Sequence, residues 1–205
     1  MRVYVYVDGF NFYYRALKDT PFKWLNLHSL ATRLLRPGDQ VEAIRYFTAR
    51  VSPRAGNPGA PRRQQILLSA LATLPNFHVH YGRFLPKTKR RPLVSNPAQF
   101  VEILDTEEKG LDVNLAVHLV NDGWRKRYDL ALVISQDTDL IEPIRIVAKE
   151  LGIPVGLVWS QGQPNPQMKA AATFVRHVRR SDLTLSLFPD PIVTPTGRIH
   201  KPAGW

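Results

Sequence analysis

The chain has 205 residues, of which 44% are hydrophobic, and a formal net charge of +11. This length suits one domain with an apolar core, and no apolar run approaches the roughly 20 residues that a membrane-spanning helix needs. Because cysteine is absent, disulfides, thiolate zinc sites and a cysteine nucleophile are excluded, and we expect a cytoplasmic protein without a signal peptide.

Strand and helix patterns alternate along the chain, which predicts a three-layer α/β fold around a central, mainly parallel sheet. β-branched and apolar runs predict strands over residues 2–7, 41–51, 77–84, 100–104, 130–134 and 154–159. Apolar residues at helical spacing predict helices over residues 10–18, 26–35, 62–74, 111–120, 140–151 and 168–178.

Proline, glycine and charge mark the predicted loops and the C-terminal region. We predict a loop over residues 52–61 and a basic, proline-bearing loop over residues 86–97. Residues 183–188 fit either a last strand or a helical turn. The folded domain is predicted over residues 1–188, followed by a proline-rich flexible tail over residues 189–205, which lack periodicity.

Acidic residues follow the ends of two predicted strands. Asp8 comes directly after the first strand, and Asp137 and Asp139 follow the apolar strand at 130–134. Each acid alone has a local explanation as a helix cap, a turn residue or a partner of a helix dipole, and that alternative stays open. Asn11 would point back toward Asp8 if a helix begins between them.

A further acid, Asp112, opens the predicted helix at 111–120. Parallel strands end along one edge of an α/β sheet, where ligands bind, so these four carboxylates can meet there. Such a cluster needs a cation, and its hard oxygen ligands favour Mg²⁺ or Mn²⁺. A divalent ion held in this way can polarise a phosphodiester and activate water for in-line attack.

Other catalytic patterns are absent from the sequence. It contains no Gly-x-x-x-x-Gly-Lys-Ser/Thr loop, no Gly-x-Gly-x-x-Gly after the first strand and no Gly-x-Ser-x-Gly elbow. His78 and His80 share one face of a predicted strand, and without further ligands in the local sequence we interpret them as packing residues.

The charges are unevenly distributed along the chain. No Asp or Glu occurs between Ala43 and Val101, where ten Lys or Arg lie, whereas ten acids and four basic residues lie between Glu102 and Glu142. This pattern indicates a polyanion held by the basic part beside metals in the acidic part, with a chance surface imbalance as the alternative. The residues predicted to bind phosphates are Arg50, Arg54, Arg62, Arg63, Lys87, Lys89, Arg90 and Arg91, with Arg83 beside them and a third patch at Arg176, Arg179 and Arg180. The aromatic candidates for stacking on unpaired bases are Tyr13, Tyr14 and Trp159, with core packing favoured for Tyr13.

Three segments together resemble the signatures of the NYN domain family, the LabA-like group of PIN-like ribonucleases. They are Val-Asp-Gly-Phe-Asn at 7–11, Glu-Lys-Gly-Leu-Asp-Val at 108–113 and Ser-Gln-Asp-Thr-Asp-Leu at 135–140, and the resemblance spans about residues 1–159. It implies a PIN-like Rossmannoid fold and metal-dependent cleavage of RNA. Carried over by position, the implied metal ligands are Asp8, Asp112, Asp137 and Asp139, with Asn11 in support. We count Ser135 and Thr138 as secondary site residues.

The chain departs from the family pattern at three positions. Gln136 stands where the family commonly has glycine, Leu140 where it has an aromatic residue, and His118 where it often has another acid. A histidine can ligate Mn²⁺ or orient a ligand but is a poor ligand for Mg²⁺, so we count His118 as a secondary site residue. Glu107 and Glu108 are interpreted as solvated, with a role as peripheral ligands left open.

The sequence therefore predicts a metal-dependent endoribonuclease that acts on single-stranded RNA and uses water as the nucleophile. The alternative is an RNA-binding regulatory module with an inactive metal site, which His118 favours. A phosphatase-like hydrolase ranks last, because Phe10 stands where its second acid would lie. We expect a nucleic-acid partner, RNA rather than DNA, and no membrane partner, and we leave a homodimer open.

Overall fold

The computed structural model describes residues 1–53 and 55–205. Within these residues the strands are, in chain order, β1 (Arg2–Asp8), β2 (Gln40–Thr48), β3 (Phe77–Tyr81), β4 (Arg83–Pro92), β5 (Phe100–Lys109), β6 (Leu130–Ile134), β7 (Val155–Trp159), β8 (Phe174–His177), β9 (Ile192–Thr194) and β10 (Gly197–Ile199). The α-helices are α1 (Gly9–Phe12), α2 (Leu27–Leu34), α3 (Ala60–Leu71), α4 (Leu111–Trp124), α5 (Ile141–Arg145), α6 (Pro166–Ala171) and α7 (Arg180–Thr184). No helix in this part of the chain is long and apolar enough to cross a membrane.

A six-stranded sheet in the order β3-β2-β1-β6-β7-β8 forms the centre of the fold. All of its neighbouring strands pair in parallel, which confirms the predicted α/β fold of the PIN-like Rossmannoid type. Strand β6 is buried throughout, as its unbroken apolar sequence predicts. The strand order reverses between β1 and β6, so the ligand-binding crevice of such a sheet lies where these two strands end.

Helices cover both faces of the sheet and give the three predicted layers. Successive side chains of β1 point to opposite faces, so Val5 joins a core with α2 and α3, whereas Tyr6 joins a second core with α4, α5 and α6. The loop into α2 is fixed by Asn26, whose side-chain oxygen accepts a hydrogen bond from the Ser29 amide at 3.0 Å.

Two predictions of secondary structure are wrong because strand pairing overrides the local pattern. The basic segment expected as a loop over residues 86–97 is mostly strand, since β4 continues to Pro92 and pairs antiparallel with β5. We call residues 83–109 the arm. The helix expected over residues 168–178 ends at Ala171, and the next segment becomes β8, which pairs with the edge of β7.

The C-terminal segment is part of the folded structure. Residues 189–205 were predicted to lack regular structure, but β9 and β10 form an antiparallel hairpin in this segment. Ile192 is buried in the first core, and Trp205 packs against that core. Trp24 donates an indole hydrogen bond to the Pro189 carbonyl at 3.1 Å. These contacts come from isolated residues without periodicity, so the sequence pattern does not indicate them. The domain boundary at residue 188 stays a prediction.

Replacing Ile192 with alanine tests the attachment of this segment. Ile192 is 8% exposed, whereas its neighbour Val193 is 74% exposed. We expect Ile192→Ala to lower the free energy of unfolding by about 2 kcal/mol or more, because the lost side chain leaves a cavity. The matched variant Val193→Ala stays within about 0.5 kcal/mol of the parent. Equal urea-unfolding midpoints for the two variants would contradict the packing described above.

Candidate metal centre and cleft

Two hydrogen bonds connect the chain at the end of β1 with the segment that follows β6. Val7 pairs with Ile134, so the residues that follow these positions lie side by side at the sheet edge. The Ser135 hydroxyl donates to a carboxylate oxygen of Asp8 at 3.1 Å. The side-chain oxygen of Asn11 accepts from the Gln136 amide at 3.0 Å. Asn11 and Ser135 therefore connect the two strand ends, and their role in supporting a site stays a prediction.

Asp8 is buried and caps α1, since its other oxygen accepts from the Asn11 amide at 3.0 Å. The capping alternative is thus correct for Asp8, and it holds the carboxylate at the crevice. The turn requires Gly9, because a Cβ there would lie 2.6 Å from the ring of Tyr46 and 2.9 Å from the carbonyl oxygen of Phe47.

The other two acids also lie where elements begin. Asp137 caps the short 3₁₀ turn Thr138–Leu140 by accepting from the Asp139 amide at 3.0 Å. Asp112 lies in the first turn of α4. That helix starts directly after Gly110, whose φ of +94° favours glycine.

Asp8, Asp112 and Asp137 each bring one carboxylate oxygen to within 4.8 Å of the others. Asp139 is exposed and lies outside this group of three. Its charge still acts on Asp112, together with those of Asp137, Asp8 and Glu108. Three convergent carboxylates supply hard oxygen donors, so this group fits one divalent cation.

Burial and mutual repulsion raise the pKa values of Asp8 and Asp112. Burial, followed by the charges of Asp137 and Asp8, raises the pKa of Asp112 to about 6. Burial also raises the pKa of Asp8, against the hydrogen bonds from Asn11 and Ser135. The charges acting on Asp112 are all negative, so a bound cation would relieve the repulsion between these carboxylates.

Glu108 belongs to this environment, although the sequence favoured a solvated role for it. Its carboxylate accepts from the Leu111 amide at 3.1 Å and thereby stabilises the start of α4. Burial raises the pKa of Glu108, and the charge of Asp8 adds to the effect. The available signal was an acid just before a helix start, which is a common capping position.

His118 lies elsewhere than a replaced acidic ligand would. It is six residues after Asp112 on α4 and therefore on a different side of the helix. Its ring lies 4.1 Å from that of His80 and 5.8 Å from that of Phe47. Burial and the charge of Arg45 lower the pKa of His118. Among the described residues the metal-competent group does not include it.

A cleft of about 1050 Å³ opens over the carboxylates. Three parts of the chain form its walls: α1 with the turn that follows it, the loop between β2 and α3, and the arm. The arm joins the rest of the fold where Phe84 contacts Phe10, with ring centroids 5.5 Å apart. The residues that line this cleft include Phe10, Tyr14, Phe84, Pro86, Leu104 and Glu108.

The predicted phosphate-binding residues have different surroundings. Lys87 pairs with Glu107 at 2.6 Å, and Lys89 pairs with Glu107 and Asp105, so acids of β5 neutralise these two lysines. Arg50 and Arg90 stack on Tyr81 and Phe100, with the guanidinium carbons 5.0 Å and 4.8 Å from the ring centroids. Arg63 bonds to Asn57, Arg62 and Arg91 are exposed, and Arg54 lies outside the described residues.

The residues of the third basic patch and the aromatic candidates for stacking also differ in their surroundings. Arg176 donates to the Leu34 carbonyl at 3.2 Å, and Arg180 stacks on Phe22. The sequence left a stacking role open for Trp159, and the structure buries this residue in the second core. Tyr13 packs partly against the first core, whereas Tyr14 is 60% exposed and lines the cleft.

The parallel sheet, its switch point and the carboxylates that converge there are features of the PIN-like class of α/β domains. A family model described as the NYN domain matches residues 2–179. The chain therefore belongs to the NYN domain family. This family generally comprises nucleases that use divalent metals.

Two similar proteins extend this comparison. The chain is 27% identical over 184 residues to 6-hydroxy-3-succinoylpyridine 3-monooxygenase HspA of Pseudomonas putida, and the match covers 77% of this chain and 59% of that protein. A crystal structure of a Vibrio parahaemolyticus protein of unknown function aligns with a TM-score of 0.57 at 13% identity, covering 91% of this chain and 96% of the other. The second comparison shows the shared fold.

The raised pKa of Asp112 predicts a pH-dependent stability of the metal-free protein. The folded state holds this proton more tightly than the unfolded state, so between about pH 3.8 and pH 6 the free energy of unfolding falls as pH rises. We expect the parent to lose about 1 kcal/mol relative to Asp112→Asn across this range, after allowance for solvent screening of a half-buried carboxyl.

Urea unfolding in the presence of a chelator measures this difference at each pH. Asp129→Asn serves as the control, because Arg2 instead lowers the pKa of Asp129 to about 2. Parallel pH profiles for the parent and Asp112→Asn would show that Asp112 is not repelled by its neighbours in the folded state.

Proposed function

We propose that the protein is a metal-dependent endoribonuclease that hydrolyses phosphodiester bonds in single-stranded RNA. The observation that carries this proposal is the convergence of Asp8, Asp112 and Asp137 at the switch point of an NYN-family sheet. We propose Mg²⁺ or Mn²⁺ as the metal, because the donors are carboxylate oxygens. When bound, such an ion supplies charge stabilisation for the phosphate and lowers the pKa of a water molecule.

The protein's own residues would orient this chemistry. The hydrogen bonds from Ser135 and the Asn11 amide fix both oxygens of Asp8, so its carboxylate cannot rotate freely. Asp137 is fixed in the same way by the backbone of the turn that follows it. Asp139 is exposed beside this group and is proposed to act through water. Thr138 begins the turn and is proposed to support it.

Basic residues next to the cleft lining support an anionic polymer as the substrate. Ala60 and Asn57 line the cleft near the start of α3, and Arg63 bonds to Asn57. Arg50 precedes the same loop and stacks on Tyr81. We propose that the phosphates follow this wall, so binding should weaken with salt. The preference for RNA over DNA and a cytoplasmic location are proposed on the family resemblance and composition alone.

The relative HspA bears the name of a monooxygenase that acts on a substituted pyridine. The chain spans about 59% of the length of that protein and is 27% identical to it. The carboxylate group and the family match therefore direct our proposal, and that relative's activity does not. The inactive RNA-binding module remains the alternative, although His118, which favoured it, packs beside His80 instead.

Cleavage of a labelled single-stranded RNA in Mg²⁺ or Mn²⁺ tests the proposal. We expect Asp8→Asn and Asp137→Asn to reduce turnover on the order of 100-fold or more, since even partners outside the ligand set of a metal typically change activity by 10–100-fold. Asp129→Asn, which changes an acid paired with Arg2 at 2.8 Å, should retain the parent rate.

The same assay separates the alternatives. Removal of the metal with a chelator should abolish turnover by the parent, and a DNA strand of the same sequence measures the preference for RNA. Equal cleavage by the parent, Asp8→Asn and Asp137→Asn would refute the nuclease proposal. Salt-sensitive binding without any cleavage would favour the regulatory module.

A further inference from the structure

We propose that the unpaired bases of the bound strand contact the cleft-facing side of the arm and Tyr14 on the opposite wall. The phosphates of that strand would follow the wall that includes Asn57 and Ala60, where Arg63 bonds to Asn57. This inference rests on the proposed function, because it concerns how the same cleft holds its substrate. It assigns a base-binding role to Leu104 and Tyr14, and it removes Lys87 and Lys89 from the phosphate-binding set.

The register of the arm determines which residues face the cleft. Thr88 pairs with Leu104, and Lys89 pairs with Ile103, so neighbouring positions point to opposite sides of the two-stranded sheet. The side that includes Leu104 lines the cleft, apart from a contribution from Asp105 of the other side. This cleft side comprises Phe84, Pro86, Thr88, Arg90 and Pro92 of β4 and Phe100, Glu102, Leu104, Thr106 and Glu108 of β5.

The outer side of the arm carries a ladder of ion pairs. Lys87 pairs with Glu107, Lys89 with both Asp105 and Glu107, and Lys109 with Glu107 at 3.0 Å. The hydrogen bonds from these lysines lower the pKa of Glu107, so the pairs remain charged over a wide pH range. A phosphate would have to displace a carboxylate to reach Lys89, and this makes the outer side a poor place for the strand.

The cleft side has the opposite character. Arg90 is its one basic residue among positions 83–109, all of which the structure describes, and its guanidinium stacks on Phe100. Near the carboxylates this side presents Leu104, which is 80% exposed, together with Phe84 and Pro86. Glu108 adds a negative charge that would repel a phosphate. Apolar surface beside an acid accepts the flat face of a base and disfavours the backbone.

Tyr14 supplies an aromatic surface on the other wall. Its ring is 60% exposed and meets the ring of Tyr13 edge to face, with centroids 5.3 Å apart. The ammonium of Lys18 lies over the Tyr14 ring, 5.6 Å from its centroid, so a stacked base would share this ring with a cation. A base on Tyr14 would therefore have its phosphate near a basic group, while its neighbour in the cleft would meet Leu104.

Binding to an intact strand and to an abasic strand with the same number of phosphates tests this inference. Fluorescence anisotropy in the presence of a chelator measures affinity without turnover. We expect Tyr14→Ala to weaken binding of the intact strand about tenfold and Leu104→Ser several-fold, in keeping with the loss of one base contact each. Neither variant should change the affinity for the abasic strand.

Ile103→Ser is the matched control. Ile103 is 41% exposed on the outer side of the same strand, directly before Leu104, so it should leave both affinities unchanged, as should Lys89→Ala. Equal effects of Leu104→Ser and Ile103→Ser, or equal losses for intact and abasic strands, would overturn the inference. So would a change of Leu104→Ser from dimer to monomer in analytical ultracentrifugation, because a second copy would then cover this side.

The design separates this inference from the proposed function. If the parent binds neither strand and also cleaves no RNA in Mn²⁺, both proposals fail. If it binds both strands equally but still cleaves RNA in Mn²⁺, the nuclease proposal stands and only the base-binding role is overturned. If it discriminates between the strands but does not cleave, the base-binding role holds for a regulatory module.

Discussion

The candidate site depends on the side-by-side termination of β1 and β6. These strands pair in parallel up to Val7 and Ile134, and the chain then leaves the sheet in two different turns. Ser135 and Asn11 each donate or accept across the gap between the two turns. Together with the strand pairing, these bonds hold the turns of Asp8 and Asp137, two carboxylates that are 129 positions apart in the sequence, next to each other.

Helix α4 shows how the fold treats two acids in different ways. At its start Asp112 lies among other acids, and its raised pKa records their repulsion. Near its end Asp122 is fully buried but accepts from Arg45 at 2.5 Å, from Arg127 at 3.0 Å and from Tyr6 at 2.9 Å. Breaking a buried pair by removing one partner costs about 3–5 kcal/mol, so Asp122 has a structural role. The repulsion between carboxylates is therefore concentrated at the start of α4, where a bound cation can relieve it.

Most of the parallel sheet and the three converging acids could be predicted because both depend on local pattern. An apolar run such as 130–134 predicts a buried strand, and an acid directly after it lies at the sheet edge by topology alone. The arm could not be predicted in this way. Its strands are rich in charge and contain Pro86, and they are stabilised by partners about 20 residues away, which local propensity does not register.

The uneven distribution of charge along the sequence is partly a result of the pairing between β4 and β5. The acid-free stretch includes all of β4, and the acidic stretch begins at Glu102 in β5, so part of the contrast is an ion-pair ladder within one hairpin. The same holds for His118, whose position in the sequence matched a missing acid although its ring packs on His80. In both cases the sequence identified the residue types but did not show which residues they contact.

The pairing also changes how the net charge relates to the cleft. Lys87 and Lys89 contribute to the formal charge of +11 but are matched by acids on the side turned away from the cleft. Arg50 and Arg63 lie outside this ladder and contact Tyr81 and Asn57, whereas the arm contributes apolar and acidic residues to the cleft lining. In the binding mode proposed above, the phosphates lie along one edge of the bound polymer. An unpaired strand can adopt this arrangement, whereas a duplex carries phosphates on both of its strands.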